Sequence, residues 1–137
     1  MYVVDASVWV SRFVLNDVHH EPSYSRLEGT VIRGELIVAP ALLLAEVAGA
    51  ISRRTGRPEL AAQAVDLLEQ LPNSRLVAID PHLARHAALL AGEHRLRGSD
   101  SFYVALAQQL GFSLVTWDRE QAERGSAATP VITPGKE

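Results

Sequence analysis

Three aspartates stand at places in the chain where a catalytic carboxylate can be held. Asp5 directly follows the apolar run 2–4, Asp118 follows the apolar run 113–116 by two residues, and Asp100 lies at the start of a helical pattern. If the two runs are neighbouring parallel strands, Asp5 and Asp118 emerge at the same edge of the sheet. Each aspartate taken singly also fits a structural role, as a helix N-cap or as a first-turn acid that faces the helix dipole.

A glutamate adds a fourth carboxylate in an unusual place. Glu46 lies in a helical pattern over 41–55, and its neighbours three and four residues away are apolar or small: Leu42, Leu43, Gly49 and Ala50. Glutamate is rarely buried without a partner, because taking its charge out of water is costly. Glu46 therefore either forms a buried ion pair with an arginine or lines a cavity.

The four carboxylates together indicate a metal site. At about 4 Å, each pair of negative charges costs about 4 kcal/mol at an effective dielectric constant of about 20. A few such pairs rival the roughly 5–15 kcal/mol that stabilises a whole domain. A cluster of these acids therefore needs protons or a cation, and oxygen-only ligands suit Mg²⁺ or Mn²⁺ rather than zinc. Such ions support in-line phosphoryl displacement, so the acids predict metal-assisted phosphodiester hydrolysis.

The elements that must position these acids alternate between strands and helices. Apolar runs rich in aliphatic and β-branched residues predict five strands, at 2–4, 36–39, 76–79, 113–116 and 131–132. Helical patterns lie between them, near 6–14, 20–33, 41–55, 59–71, 82–96, 100–110 and 118–124. This alternation predicts an α/β fold with a parallel sheet that helices cover on both faces.

Length and composition narrow the classes of protein. The chain has 137 residues, which predicts one domain, and we expect it to span 1–133 with a flexible C-terminal tail at 134–137. The absence of cysteine excludes disulfides and a thiol nucleophile, and the net charge of −3 excludes a globally basic nucleic-acid-binding surface. The first residues lack the pattern of a signal peptide, and no apolar run is long enough to span a membrane. We therefore expect a cytoplasmic protein.

The acids lie in four segments that resemble the motifs of one known family. These segments are, in order, Val3-Val4-Asp5-Ala6-Ser7, Val38-Ala39-Pro40 followed by Glu46-Val47, Ser99 to Ala107, and Leu114 to Arg119. From Tyr2 to about Thr133 the chain is similar to the PIN-domain ribonucleases, and more narrowly to the VapC-type toxins of bacterial type II toxin–antitoxin systems. Each segment is a weak motif alone, whereas four in this order form a strong signal. Ser101 and Trp117 depart from the family's usual residues, an alanine and a smaller or polar residue.

The resemblance implies a fold and an activity. The fold is a single-domain, three-layer α/β/α sandwich with a central parallel sheet of about five strands. The activity is endonucleolytic hydrolysis of RNA with Mg²⁺ or Mn²⁺. In this family Asp5 and Asp100 would be metal ligands, and Glu46 and Asp118 would complete the acidic cluster. Either Asp118 or Glu46 can orient the attacking water.

Two hydroxyls and several partners follow from the same resemblance. Ser7 and Thr116 match family hydroxyls that orient carboxylates or waters beside the acids, although capping or turn hydrogen bonds explain them equally well. The implied partners are an RNA substrate, a VapB-type antitoxin that blocks the acidic pocket, and a second copy of the chain in a homodimer. The alternative is a catalytically silent module that keeps the fold and binds RNA or protein.

An RNA strand must be held despite the net negative charge. Arg95 and Arg97 shortly precede the third aspartate and are the preferred candidates for phosphate contacts. A second group of cations lies at the end of the helix that carries the glutamate: Arg53, Arg54 and Arg57. Solvated helix ends are the alternative explanation for both groups.

Overall fold

A computed structural model describes residues 1–136 of the chain. The strands are β1 (Tyr2–Val4), β2 (Ile37–Pro40), β3 (Ser74–Val77), β4 (Ser113–Val115) and β5 (Val131–Ile132). The helices are α1 (Ala6–Phe13), α2 (His20–Ile32), α3 (Leu43–Thr55), α4 (Pro58–Gln70), α5 (Pro81–His94), α6 (Gly98–Leu110) and α7 (Arg119–Gly125). Every predicted strand and helix is present. Within residues 1–136, no helix combines the length and the apolar character that crossing a membrane requires.

The five strands form one parallel sheet in the order β3-β2-β1-β4-β5. At its centre β1 pairs with β2 on one side, where Tyr2 lies opposite Ile37, and with β4 on the other, where Val4 lies opposite Val115. The chain steps outward from β1 to β3 and then returns past β1 to β4. Open parallel sheets bind ligands at the carboxyl ends of their strands, beside such a reversal.

The helices pack in two groups on the sheet. In the first group α1 contacts α2 and α3, and α3 contacts α4; in the second, α6 contacts α5 and α7. Right-handed crossovers place the helices between β1 and β3 on one face and those between β3 and β5 on the other, because the direction of travel across the sheet reverses. The predicted three-layer α/β/α architecture is confirmed.

The central helix α6 is enclosed along its middle. Its residues 103–107 are five consecutive buried positions, each 0–2% exposed. One side of α6 packs on β1, β2 and β4, and α5 and α7 cover the others. Gly125 permits the approach of α7, because a Cβ there would stand 3.0 Å from Val104 Cγ2. This enclosure holds the start of α6, and with it Asp100, at a defined place relative to the centre of the sheet.

The third strand lies two residues earlier than the predicted range of 76–79. The structure forms β3 at Ser74–Val77, because Ile37 pairs with Ser74 and Pro40 pairs with Val77. Ile79 therefore lies outside the strand, in the link that leads to the N-cap of α5. Its apolar side chain extends the sequence pattern, whereas the pairing with β2 decides where the strand ends.

The C-terminal segment after β5 is described as far as residue 136. Pro134 is buried, and the Lys136 N–H donates to the carbonyl oxygen of Thr133 over 3.2 Å. The flexibility of the tail at 134–137 stays a prediction, and its last residue, Glu137, lies outside the described residues.

Candidate active site at the carboxyl edge of the sheet

Strands β1 and β4 bring Asp5 and Asp118 to the same edge of the sheet. The Asp5 N–H donates to the Val115 carbonyl oxygen over 2.9 Å, which extends the pairing of the two strands by one residue. Asp5 Oδ2 accepts the Ser7 N–H over 3.0 Å and caps α1, and Asp118 Oδ1 accepts the Gln121 N–H over 2.9 Å and caps α7. Both aspartates are thus N-caps, and both also stand at the predicted shared edge.

Helices α6 and α3 contribute the other two acids. Asp100 lies in the first turn of α6 and Glu46 in the first turn of α3. Glu46 is half-buried, and its Oε1 accepts a hydrogen bond of 2.6 Å from the Tyr103 hydroxyl. Because Tyr103 follows Asp100 by three residues, this bond ties Glu46 to the helix that carries Asp100. Among residues 1–136 Glu46 has no arginine ion-pair partner, so it lines a cavity.

A hydrogen-bonded network connects the acids through Ser7 and Thr116. Thr116 Oγ1 lies 3.2 Å from Asp5 Oδ2, 2.7 Å from Gln121 Oε1 and 3.4 Å from Ser7 Oγ, and it accepts the Asp118 N–H over 3.0 Å. The single Thr116 hydroxyl proton can be donated to only one acceptor. Thr116 therefore shares its proton between Gln121 and Asp5, and donation to Asp5 stabilises the carboxylate in the same way as the Ser7 N–H does. The network thus orients Asp5 and partly offsets the burial that raises the pKa of this carboxyl.

The carboxylates of Asp5, Glu46 and Asp118 all lie within electrostatic reach of Asp100. Burial raises the pKa of Asp100 to about 6, and the charges of Asp5, Asp118 and Glu46 add to this rise, whereas Arg97 opposes it. Burial likewise raises the pKa of Asp5 and that of Glu46, against the hydrogen bonds that each accepts. The edge of the sheet therefore carries negative charge that the folded chain itself compensates only in part.

The chemistry of these donors suits a hard divalent cation. Carboxylate oxygens with hydroxyls beside them are ligands of the kind that Mg²⁺ or Mn²⁺ prefers. Burial raises the pKa of Asp100, repulsion from the other carboxylates adds to this rise, and a cation among them would offset that repulsion. Within residues 1–136, no three His, Asp or Glu side chains stand together as a ready-made metal site. That arrangement is consistent with carboxylates that repel one another and turn to separate hydrogen-bond donors. The predicted metal-binding roles of Asp5, Asp100, Glu46 and Asp118 stay predictions.

The two groups of arginines have different surroundings. Arg97 is the N-cap residue of α6, and its Nη2 lies 3.3 Å from Glu120 Oε2. Arg95 follows α5 in a left-handed conformation, with a φ of 57°, and is exposed. Arg53 and Arg54 line a cleft that begins beside the acids. The predicted phosphate contacts of Arg95 and Arg97 stay a prediction.

Sequence reasoning missed the residues that hold the acids in place. Gln121 is fully buried, and its Nε2 donates to the Asp100 carbonyl oxygen over 3.3 Å. A sequence signal for it exists, because Asp118 and Gln121 have the spacing of a capping box. Nothing local predicts that His19 stacks on Trp117, with ring centroids 3.8 Å apart and planes inclined by 9°.

Comparison with known proteins identifies the family. The PIN domain model matches residues 2–126. The fold is similar to that of VapC20 from Mycobacterium tuberculosis, a sarcin–ricin loop cleaving toxin, with 19% identity and a TM-score of 0.78 over 91% of this chain and 95% of that chain. It is also similar to FitAcB from Neisseria gonorrhoeae, with 19% identity and a TM-score of 0.71 over 100% of both chains. A third similar structure is VapBC2 from Rickettsia felis bound to a DNA fragment from its promoter, with 14% identity and a TM-score of 0.73 over 96% of this chain and 97% of that chain. A comparison with curated proteins gave no match. Since the family model spans most of the sequence, the chain belongs to the PIN domain family.

Proposed function

We propose that the protein is a Mg²⁺- or Mn²⁺-dependent endoribonuclease and the toxin of a toxin–antitoxin pair. Its PIN domain and the fold that it shares with VapC toxins support this class. The observation that carries the proposal is the group of four acids, from four different elements, whose charges act together on Asp100. Four carboxylates brought together repel one another and lower the stability of the fold, and a cation bound among them would offset this cost. A catalytically silent binding module would gain nothing from such a group.

In the proposed mechanism the side chains hold the substrate and the water in place. The metal ion, when bound, makes a water more acidic and offsets negative charge on the phosphate. Asp5 and Asp100 are the proposed metal ligands, and the Ser7 N–H bond orients Asp5. Glu46, which its tyrosine partner orients, and Asp118, which the start of α7 orients, are the two candidates for directing the attacking water.

The proposal includes two protein partners. The first is a VapB-type antitoxin, a partner that the similarity to the toxin–antitoxin complex of Klebsiella pneumoniae supports (14% identity, TM-score 0.71). We propose that this antitoxin blocks the acidic pocket. A homodimer would cover apolar side chains that the monomer exposes near its first helices, since Leu15 is 79%, Val18 87% and Ile32 75% exposed. We further propose that the protein acts in the cytoplasm, where its RNA substrate is found.

Cleavage of a total-RNA pool tests the nuclease. The purified chain is assayed with Mg²⁺ or Mn²⁺ and with EDTA, beside the Asp5→Asn and Asp100→Asn variants and an Asp66→Asn control on the exposed face of α4. Discrete fragments that form with metal, disappear with EDTA and disappear in the two active-site variants support the proposal. Intact RNA under all metal conditions, with no antitoxin co-purified, contradicts it and favours the silent binding module.

A further inference from the structure

A cleft of about 600 Å³ opens beside the acids, between α1, α3 and the loop that follows β4. Ser7 and Glu46 line the part nearest the acidic edge, and Arg53 and Arg54 line it further along α3. The volume falls in the range of pockets that enclose a small ligand. A substrate bound at the acids along the direction of α3 would extend into this cleft.

One cation of the cleft is available to an anion. Arg54 Nη1 pairs with Asp17 Oδ2 at 2.6 Å, whereas Arg53 has no ion-pair partner among residues 1–136. The Arg53 guanidinium lies back over Gly49, where a Cβ would stand 3.1 Å from Nη1. It therefore points along α3 in the direction of Glu46. A glycine in a helix interior is otherwise unfavourable, and here it leaves room for this guanidinium.

An aromatic pair also lines the cleft. His19 stacks on Trp117, and both line the cleft. Trp117 is held at both ends, because its Nε1 donates to Ser23 Oγ over 2.7 Å and its backbone N–H donates to Ser7 Oγ over 3.1 Å. A ring fixed in this way loses little freedom when a base packs against it, and aromatic side chains bind the unstacked bases of single strands.

The same aromatic pair also borders a second cleft of about 570 Å³. That cleft reaches Thr116, Asp118 and Arg119. The pair thus divides two spaces, one of which contains Glu46 and the other Asp118. A single strand with a phosphate at the acids places its neighbouring nucleotides on the two sides of this divider.

We propose that Arg53, His19 and Trp117 form the subsite for the nucleotide next to the scissile phosphodiester of single-stranded RNA. Arg53 contacts the phosphate of that nucleotide, and the aromatic pair packs against its base. This inference rests on the proposed nuclease function and adds to it a phosphate contact separate from Arg95 and Arg97. It also gives a role to Trp117, which departs from the family's usual residue.

Binding measured without turnover tests the subsite. Fluorescein-labelled decauridine and an abasic decamer are titrated in EDTA over a salt series, with wild type, Arg53→Ala, Arg53→Lys and Trp117→Ala. Arg85→Ala, which removes an exposed arginine on α5, is the matched control. We expect Arg53→Ala to reduce the slope of log affinity against log salt by about 0.7, the value for one phosphate contact on a single strand, on both oligomers. Arg53→Lys restores the slope, and Arg85→Ala leaves it unchanged.

Trp117 supplies a second readout, because Trp9, the other tryptophan, is buried. Decauridine should quench the Trp117 fluorescence, and the abasic decamer should not. Trp117→Ala should weaken decauridine binding by about fivefold or more and leave the abasic decamer unaffected. The subsite would be overturned if Arg53→Ala and Arg85→Ala bound the oligomers with equal affinities and equal salt slopes. It would also be overturned if both oligomers quenched the Trp117 fluorescence equally. A loss of antitoxin affinity with unchanged RNA affinity would assign the cleft to protein binding and overturn it as well.

The two proposals fail in distinguishable ways. If wild type shows the predicted binding pattern and cleaves no RNA with metal, the subsite stands and the nuclease proposal fails. If wild type cleaves RNA and both Arg53→Ala and Trp117→Ala keep its KM and kcat, the nuclease proposal stands and the subsite is wrong.

Discussion

Replacing Asp100 by asparagine should stabilise the metal-free protein while it abolishes cleavage. In the folded chain the pKa of Asp100 rises from 3.8 to about 6, through burial and then through the charges of Asp5 and Asp118. At about 1.4 kcal/mol for each tenfold change in proton affinity, this rise corresponds to about 3 kcal/mol at neutral pH. Asp100 keeps part of its exposure, so solvent screening reduces the gain, and we expect about 1–2 kcal/mol. Among residues 1–136 its side chain accepts no hydrogen bond that asparagine would lose.

The sign of the pH dependence follows from the direction of the shift. A carboxyl whose folded pKa is raised holds more protons in the folded state between pH about 4 and 6, so its contribution to stability falls as the pH rises through that window. The advantage of Asp100→Asn should therefore be largest at pH 7 and vanish near pH 4. In EDTA at pH 7 the melting temperature should rise by about 3–8 °C for a domain of this size.

Metal should offset this difference in stability between wild type and Asp100→Asn. A cation that binds only the folded state stabilises it in proportion to the logarithm of its concentration above the dissociation constant. Added Mn²⁺ should therefore raise the melting temperature of wild type more than that of Asp100→Asn. Asp66→Asn, on the exposed face of α4, should match wild type in both buffers. The electrostatic reasoning is refuted if Asp100→Asn is less stable than wild type in EDTA at pH 7, or if the difference persists at pH 4.

Three further substitutions test the groups that surround the acids. Tyr103→Phe removes the hydrogen-bond donor to Glu46, so we expect the free energy of unfolding in urea to fall by about 1 kcal/mol. The pKa of Glu46 should rise, which would shift the acid limb of the pH profile of cleavage to higher pH. An unchanged pH profile contradicts this. Gln121→Met leaves buried polar partners unsatisfied and should cost about 1–3 kcal/mol, whereas a change below about 0.5 kcal/mol would show that the network is dispensable. Burial tends to raise the pKa of Asp17, but hydrogen bonds and the charge of Arg54 lower it overall. Asp17→Asn should therefore destabilise the protein at pH 7, and this effect should disappear as the pH falls below about 4. A difference in thermal unfolding that does not change with pH contradicts this.

The elements of the fold are predictable from local sequence signals. Apolar runs and helical patterns act within a few residues, so all five strands and seven helices lie within a few residues of their predicted positions. Gly111 is an example of such a local signal, since α6 ends at this glycine, whose φ of 70° is in the left-handed region. The third strand lies two residues earlier than predicted, because its ends depend on pairing with β2, which no local sequence signal indicates.

The same distinction between local signals and tertiary contacts applies to the candidate site. The positions of Asp5 and Asp118 follow from the sequence because each comes directly after, or two residues after, a predicted strand, and parallel strands end at one edge of the sheet. The apolar neighbours of Glu46 likewise indicate that it lines a cavity, although they do not identify Tyr103 as its partner.

Only the tertiary structure decides which residues hold and surround the acids. The bond from Tyr103 to Glu46 depends on how α6 and α3, from opposite faces of the sheet, meet at its carboxyl edge, and the stacking of His19 on Trp117 depends on where the α1–α2 connection meets the end of β4. Such contacts join residues that are remote in sequence, and their geometry follows from close packing of the whole core. The sequence by itself thus determines which acids arrive at the edge of the sheet. Packing determines their pKa values, their hydrogen-bond partners and the shape of the clefts on either side.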